Sequence, residues 1–189
     1  MIIERIKNVF DTDFNQVVLE NVMQRKEWLP QVYDFDENRN PMFITNDSEN
    51  KFSDFGFTLQ SFPELGQDDF LARTIANTIL TKSSHRFEEI RFVRYFWNYY
   101  NRSSYCQKHR DLFTYNSPEN ARQNEKFYSI LYFVSNSDSE TVFETEDGSI
   151  VIENTIGDSV IFDSNLIHSA TSPKHSPYKV SLNVQFSCL

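Results

Sequence analysis

The sequence predicts a mainly β protein with flanking helices, a sandwich or barrel of the jelly-roll, double-stranded β-helix (cupin-like) kind. The 18 Phe and 9 Tyr among 189 residues suit half-buried pleated surfaces better than helix interiors. Short aromatic and β-branched runs recur at 89–100, 127–134, 149–153, 159–162 and 179–186. Asp147-Gly148 and Gly157-Asp158 stand between such runs, where a turn needs residues that tolerate positive φ. Closely spaced strands of this sort close into two packed sheets or a barrel.

Taken in order, residues 1–66 alternate short apolar runs with polar clusters such as Asp34–Pro41, which read as short strands and turns. From Asp68 the pattern changes. Asp68 or Asp69 can cap a helix, and Leu71, Ile75 and Ile79 give it one apolar face, ending near Ser83-Ser84. From Phe87 onward the signal is mostly strand, starting with Glu89–Tyr100, too aromatic and β-branched for a surface helix. A chain of this length fits one domain, 1–189, with a recognisable core over about 87–189 and residues 1–86 completing it.

Composition narrows the function classes. The 39% apolar and 24% charged residues suit a soluble globular chain. A net charge of −9 disfavours nucleic acid, since phosphate contacts would need a basic patch that the sequence lacks. No run approaches the roughly 20 apolar residues that cross a bilayer, so no membrane partner is expected. Cys106 and Cys188 make no disulfide framework and the N-terminus has no long apolar run, so a reducing cytoplasm is the expected compartment.

The chemistry concentrates in the last eighty residues. His109-Arg110-Asp111 puts an imidazole and a carboxylate two residues apart, on one face if the segment is extended. Gly157–His168 is a turn, an apolar strand and then a histidine just past its end. Two His and one carboxylate on separate strands give the facial set preferred by non-haem Fe(II), with three positions left open. A 2-oxo acid can occupy two of these and dioxygen the third. A structural zinc site would be closed by Cys or His, and neither cysteine has a partner at a suitable spacing. The strand at 179–186 then alternates Lys179, Ser181 and Asn183 on one face with Val180, Leu182, Val184 and Phe186 on the other. A polar face inside an apolar barrel implies a ligand, and a lysine beside a hydroxyl suits a carboxylate, for which the far end of 2-oxoglutarate is the natural candidate.

From about Arg91 to Phe186 the order of these segments resembles the prolyl-4-hydroxylase-like branch of the Fe(II)/2-oxoglutarate-dependent dioxygenases. Tyr100 stands nine positions before His109-Arg110-Asp111; then follow Ser129–Phe133, Glu140–Phe143, Gly157–Phe162, His168-Ser169 and Lys179–Val184. The resemblance implies that Lys179 and Ser181 bind the C5 carboxylate of 2-oxoglutarate, with Tyr100 and Tyr132 lining the co-substrate pocket. Asp138-Ser139 replaces the glycine pair usual before Glu-Thr-x-Phe, and Tyr100 lacks the usual glycine-containing turn after it. His85 and His175 read as a surface and a loop histidine without a role.

The function expected is therefore hydroxylation of a C–H bond in a peptidyl or free amino-acid-like substrate. Dioxygen and 2-oxoglutarate would be consumed at Fe(II) held by His109, Asp111 and His168, with succinate and CO2 as co-products. Retention of Asp111 favours hydroxylation over halogenation, which vacates the carboxylate position. The rival reading is a non-catalytic, metal-binding jelly-roll sensor or interaction module.

Overall fold

The computed structural model describes residues 2–30, 34–35, 41–42, 54–63, 66–104, 106–111 and 125–189. The strands are β1 (Ile3–Ile6), β2 (Leu29–Pro30), β3 (Asp34–Phe35), β4 (Pro41–Met42), β5 (Asp54–Ser61), β6 (Arg91–Ser104), β7 (Cys106–His109), β8 (Lys126–Phe133), β9 (Glu140–Thr145), β10 (Gly148–Glu153), β11 (Ser159–Asp163), β12 (His168–Ala170) and β13 (Tyr178–Cys188). Helix α1 spans Thr12–Met23 and α2 spans Phe70–Lys82.

A seven-stranded sheet, ordered β1-β11-β8-β13-β6-β5-β2, faces a four-stranded sheet ordered β10-β9-β12-β7. From β6 to β13 the chain weaves between the two, which is the double-stranded β-helix expected from the strand and turn pattern. The expected turns carry the backbone they require, with φ of 127° at Gly148 and 83° at Gly157. Gly157 also admits no side chain, because an added Cβ would lie 2.8 Å from Asn15 Nδ2. The cluster at Asp34–Pro41 is flanked by the β3–β4 pair, and its residues 36–40 lie outside the described residues.

Two cores follow from the alternation of side chains along the large sheet. Its outer face carries Tyr95, Trp97, Ile130, Tyr132, Val180, Leu182, Val184 and Phe186 against the helices. Its inner face carries Leu131, Phe133, Val160 and Phe162 against Phe143 and Ile152 of the small sheet. Helix α2 forms where expected, capped by Asp69, whose carboxylate accepts from Ala72 N–H and from Trp97 Nε1 at 2.8 Å and pairs with Arg25. Its buried stripe is Ala72, Ile75, Ala76 and Ile79.

The N-terminal segment departs from the expected strands and turns. Residues 12–23 are helical, with Asp11 capping Phe14 N–H and with Asn15, Val18 and Val22 buried. An Asx cap followed by apolar residues at four-residue spacing is a helix signal, diluted here by the buried Asn15, which donates to Phe10 O and accepts from the Tyr132 hydroxyl.

β1 joins the sheet beside β11 and ties the C-terminus of α2 to it through Glu4. Its carboxylate accepts from Ser83 Oγ, from Ser84 N–H at 2.7 Å and from His85 Nδ1 at 3.1 Å. Burial alone would raise its pKa, but these hydrogen bonds reverse that and hold it at about 2. A depressed carboxylate stabilises the fold above its unfolded pKa, and that stabilisation is lost as pH falls towards the folded value. Glu4→Gln is expected to lower stability at pH 7 by on the order of 1 kcal/mol. In thermal melts the gap to wild type should close between pH 4.5 and 2; a gap independent of pH would remove the carboxylate's role.

Candidate metal centre

His109 ends β7, His168 opens β12, and the two are direct partners in the small sheet, so their side chains emerge together with ring centroids 4.2 Å apart. Asp111 lies two residues beyond His109, its N–H bonded to Ser164 O at 3.0 Å. The carboxylate Oδ1 stands 3.3 Å from His109 Nε2 and 3.8 Å from His168 Nε2. One ligand atom from each residue falls within 4.8 Å of the others.

Each ring is turned by a bond at its far nitrogen. His168 Nδ1 bonds Leu166 O at 3.0 Å, and its ring sits between Phe143 and Phe162, at 5.8 and 4.8 Å between centroids. His109 Nδ1 lies 3.4 Å from Cys106 Sγ. Both Nε2 atoms therefore face Asp111, as metal-ligating imidazoles require. Asp111 is only 8% exposed, and its second oxygen accepts from Asn183 Nδ2 at 3.0 Å. Burial would raise its pKa, yet the bond from His109, the charges of His168 and His109 and the bond from Asn183 bring it well below the usual carboxylate range. Burial would lower His109, but its bonds to Asp111 and Cys106 carry it to about 11; His168 is lowered, chiefly by burial. Two imidazoles and an ionised carboxylate, oriented by outer partners, fit a divalent transition metal of the Fe(II) type.

The inner face of the large sheet forms the opposite wall. Lys179 of β13 is 2% exposed and lies beside Tyr100 of β6, its Nζ 5.7 Å from the centre of that ring. Burial pushes its pKa down to about 8, partly opposed by Cys106. Two residues on, Ser181 lies between Asn98 and Phe133, and Asn183 between Phe96 and Leu131. Lys179, Ser181 and Tyr100 are thus brought to one face, in line with Asn183 and the metal cluster.

Tyr132 is not among them. It pairs with Leu182 and points to the outer face, fully buried, its hydroxyl donating to Asn15 Oδ1 beneath α1. Burial raises its pKa. Its expected place in the pocket is therefore corrected by strand parity: Tyr132 belongs to the helix-side core, and Leu131 and Phe133 face inward.

Several neighbours of the cluster escaped the sequence reading. Asn98 and Thr58 pair across β6 and β5 beside Ser181, and Thr58 Oγ1 is buried without a hydrogen bond among the described residues. Cys106 backs His109. Arg94 lies over the Phe96 ring at 3.6 Å; burial lowers its pKa to about 9 against the opposing charge of Asp111. For Asn98 and Arg94 the sequence offers only alternation along an aromatic strand, and for Thr58 and Cys106 no local signal. His85 and His175 are exposed and outside the cluster, as expected.

No protein-family model and no curated protein matches this sequence. Solved structures do. A prolyl-4-hydroxylase of Pseudomonas putida superposes with a TM-score of 0.61 at 13% identity, over 99% of this chain and 92% of its own. The viral collagen prolyl hydroxylase of Paramecium bursaria Chlorella virus-1, in its 2-oxoglutarate complex, gives 0.60 at 15% identity, over 100% and 97%. HygX of Streptomyces hygroscopicus, with nickel and 2-oxoglutarate bound, gives 0.65 at 9% identity, over 98% and 82%. At these identities the likeness is one of architecture, and it covers the whole chain: this protein has the double-stranded β-helix fold of the 2-oxoglutarate–Fe(II) oxygenases.

Proposed function

We propose that the protein is a non-haem Fe(II)- and 2-oxoglutarate-dependent dioxygenase that hydroxylates a C–H bond of a peptidyl or free amino-acid-like substrate. The overall conversion is R–H + O2 + 2-oxoglutarate → R–OH + succinate + CO2. The observation that carries this reading is Lys179, a buried cation that meets no carboxylate among the described residues and shares an interior with a His-Asp-His cluster. A buried charge without a counter-ion is costly. The C5 carboxylate of 2-oxoglutarate would supply that counter-ion.

His109, Asp111 and His168 would hold the iron, and the bound ion would supply the redox chemistry that activates dioxygen and splits the 2-oxo acid. Lys179 and Ser181 would anchor the far end of the co-substrate beside Tyr100. Asn183 would hold Asp111 in place. Phe143, Phe162, Leu131 and Phe133 keep the space between the sheets apolar and exclude water.

Succinate released from 2-oxoglutarate, dependent on added Fe(II) and on air, tests the reading, because oxygenases of this kind turn over slowly without substrate. Wild-type protein is expected to form succinate, and His168→Ala to lose both succinate formation and Mn(II) binding by anaerobic calorimetry. Tight metal binding with no succinate and no 2-oxoglutarate binding would instead identify a non-catalytic metal module.

A further inference from the structure

The inner wall continues past the metal cluster, away from Lys179, and its chemistry there is not explained by iron or by 2-oxoglutarate. Gln185 follows Asn183 on the same face of β13, two residues along, with Arg94 on one side and Ser129 on the other. It is 4% exposed, and neither its Nε2 nor its Oε1 has a hydrogen-bond partner among the described residues. Asn183 donates to Asp111, while its Oδ1 likewise has no partner among the described residues. Ser129 is engaged with Ser164 Oγ at 2.9 Å and does not serve Gln185. A buried amide with both ends open costs free energy that native interiors rarely leave uncompensated, so such a group points to a ligand.

Arg94 adds charge to this donor and acceptor set. Its guanidinium is laid over the Phe96 ring at 3.6 Å, and Phe96 pairs with Asn183, so the charge runs along the wall from the Gln185 position towards Asn183. A guanidinium and an amide N–H on one wall suit a carboxylate, and the open oxygens of Gln185 and Asn183 suit a neighbouring N–H donor. The two demands together describe an α-amino acid.

Resting on the oxygenase reading above, we infer that Arg94, Asn183 and Gln185 form the substrate subsite, and that it takes the carboxylate and ammonium of a free α-amino acid. Lys179 and Gln185 then mark opposite ends of one wall, co-substrate at one and substrate at the other, with Asn183 and the metal ligands between. Binding by the amino-acid head leaves the side chain as the part presented to the metal.

The test uses Mn(II)-loaded protein with 2-oxoglutarate under anaerobic conditions, so that binding is read apart from turnover. The probes are the twenty free α-amino acids and the corresponding α-amides, followed by thermal shift and calorimetry. At least one free acid is expected to bind, with its amide about tenfold to a hundredfold weaker, the loss expected for a hydrogen bond to a charged group. Gln185→Leu is expected to lose a similar factor in affinity while melting no lower than wild type, because it deletes two unpaired buried polar atoms. A purely structural Gln185 would give the opposite pattern, with unchanged affinity and a lower melting temperature. Arg94→Lys should retain more binding than Arg94→Met. Equal binding of acid and amide, no binding by any of the twenty acids, or unchanged affinity in Gln185→Leu would each overturn the subsite. Absence of succinate from the aerobic Fe(II) form, with amino-acid binding intact, would overturn the oxygenase reading and leave the subsite standing.

Discussion

On the proposed function, Asp111→Asn is expected to abolish 2-oxoglutarate turnover and to weaken metal binding by at least about a hundredfold, while the fold should stay close to wild-type stability. The affinity figure is a lower bound, because partners that merely orient metal ligands are already worth about ten- to a hundredfold. The stability half follows from geometry. Asp111 is buried, but its bonds run to side chains that an amide also satisfies: the asparagine oxygen can still accept from Asn183, 3.0 Å away, and the replacement keeps the shape that fills the space. What disappears is the anion, and with it the main reason that His109 holds a proton up to about pH 11. The histidines of the variant should therefore titrate at lower pH, a change visible by NMR in metal-free protein. Asp111→Gly serves less well, since it also opens a void and adds backbone entropy of roughly 0.5–1 kcal/mol. Mn(II) calorimetry beside thermal melts separates the two effects. An unchanged metal affinity in Asp111→Asn would remove the carboxylate from the centre.

The parts of this site that were legible in the sequence are those marked by local spacing. His109 and Asp111 are two apart in an extended segment, and His168 follows a turn and an apolar strand, so their convergence needs only that β7 and β12 be neighbours. Lys179, Ser181 and Asn183 were legible because their strand is polar on one face and apolar on the other. The strand containing Tyr132 offers no such contrast. Ser129–Phe133 is buried on both faces, and a strand of that kind reads as a nearly continuous apolar run in which period two gives no side. Family order could align Tyr132 with a pocket position, but only the register with Leu182 decides which face it occupies. The first helix was hidden for a related reason. Its buried face includes Asn15, a polar residue whose burial depends on Tyr132 and Phe10, partners that sequence spacing does not reveal. Arg94 and Gln185 were invisible as a pair because they lie about ninety residues apart, joined only by the pairing of the last strand with β6.

The largest effect is expected at Lys179, where one substitution should move stability and affinity in opposite directions. In the ligand-free protein this ammonium is buried against the Tyr100 ring, and burial lowers its pKa from 10.5 to about 8. The unfolded chain therefore binds the proton more tightly than the folded one. Below pH 8 the folded state bears the full cost of the buried charge; between pH 8 and 10.5 the cost falls as the folded lysine becomes neutral first; above 10.5 it is gone. Lys179→Met fills similar space without the charge, so at pH 7 the variant should be more stable than ligand-free wild type, by up to about 3 kcal/mol at 1.36 kcal/mol per tenfold. That advantage should vanish by pH 10.5. Its 2-oxoglutarate affinity should fall by a hundredfold or more, from the roughly 3–5 kcal/mol lost when one partner of a buried ion pair is removed. Lys179→Arg should keep part of the binding, and metal affinity should hardly change in either variant. The same proton gives a second sign to check in wild type: bound carboxylate requires the charged lysine, so 2-oxoglutarate affinity should decline about tenfold per pH unit above pH 8 and be flat below it. Titrations of 2-oxoglutarate into Mn(II)-loaded protein across this range, with melts of the ligand-free forms, measure all of these. If Lys179→Met binds 2-oxoglutarate as wild type does, the counter-ion of Lys179 is something else and the co-substrate assignment fails, whatever the metal ligands prove to be.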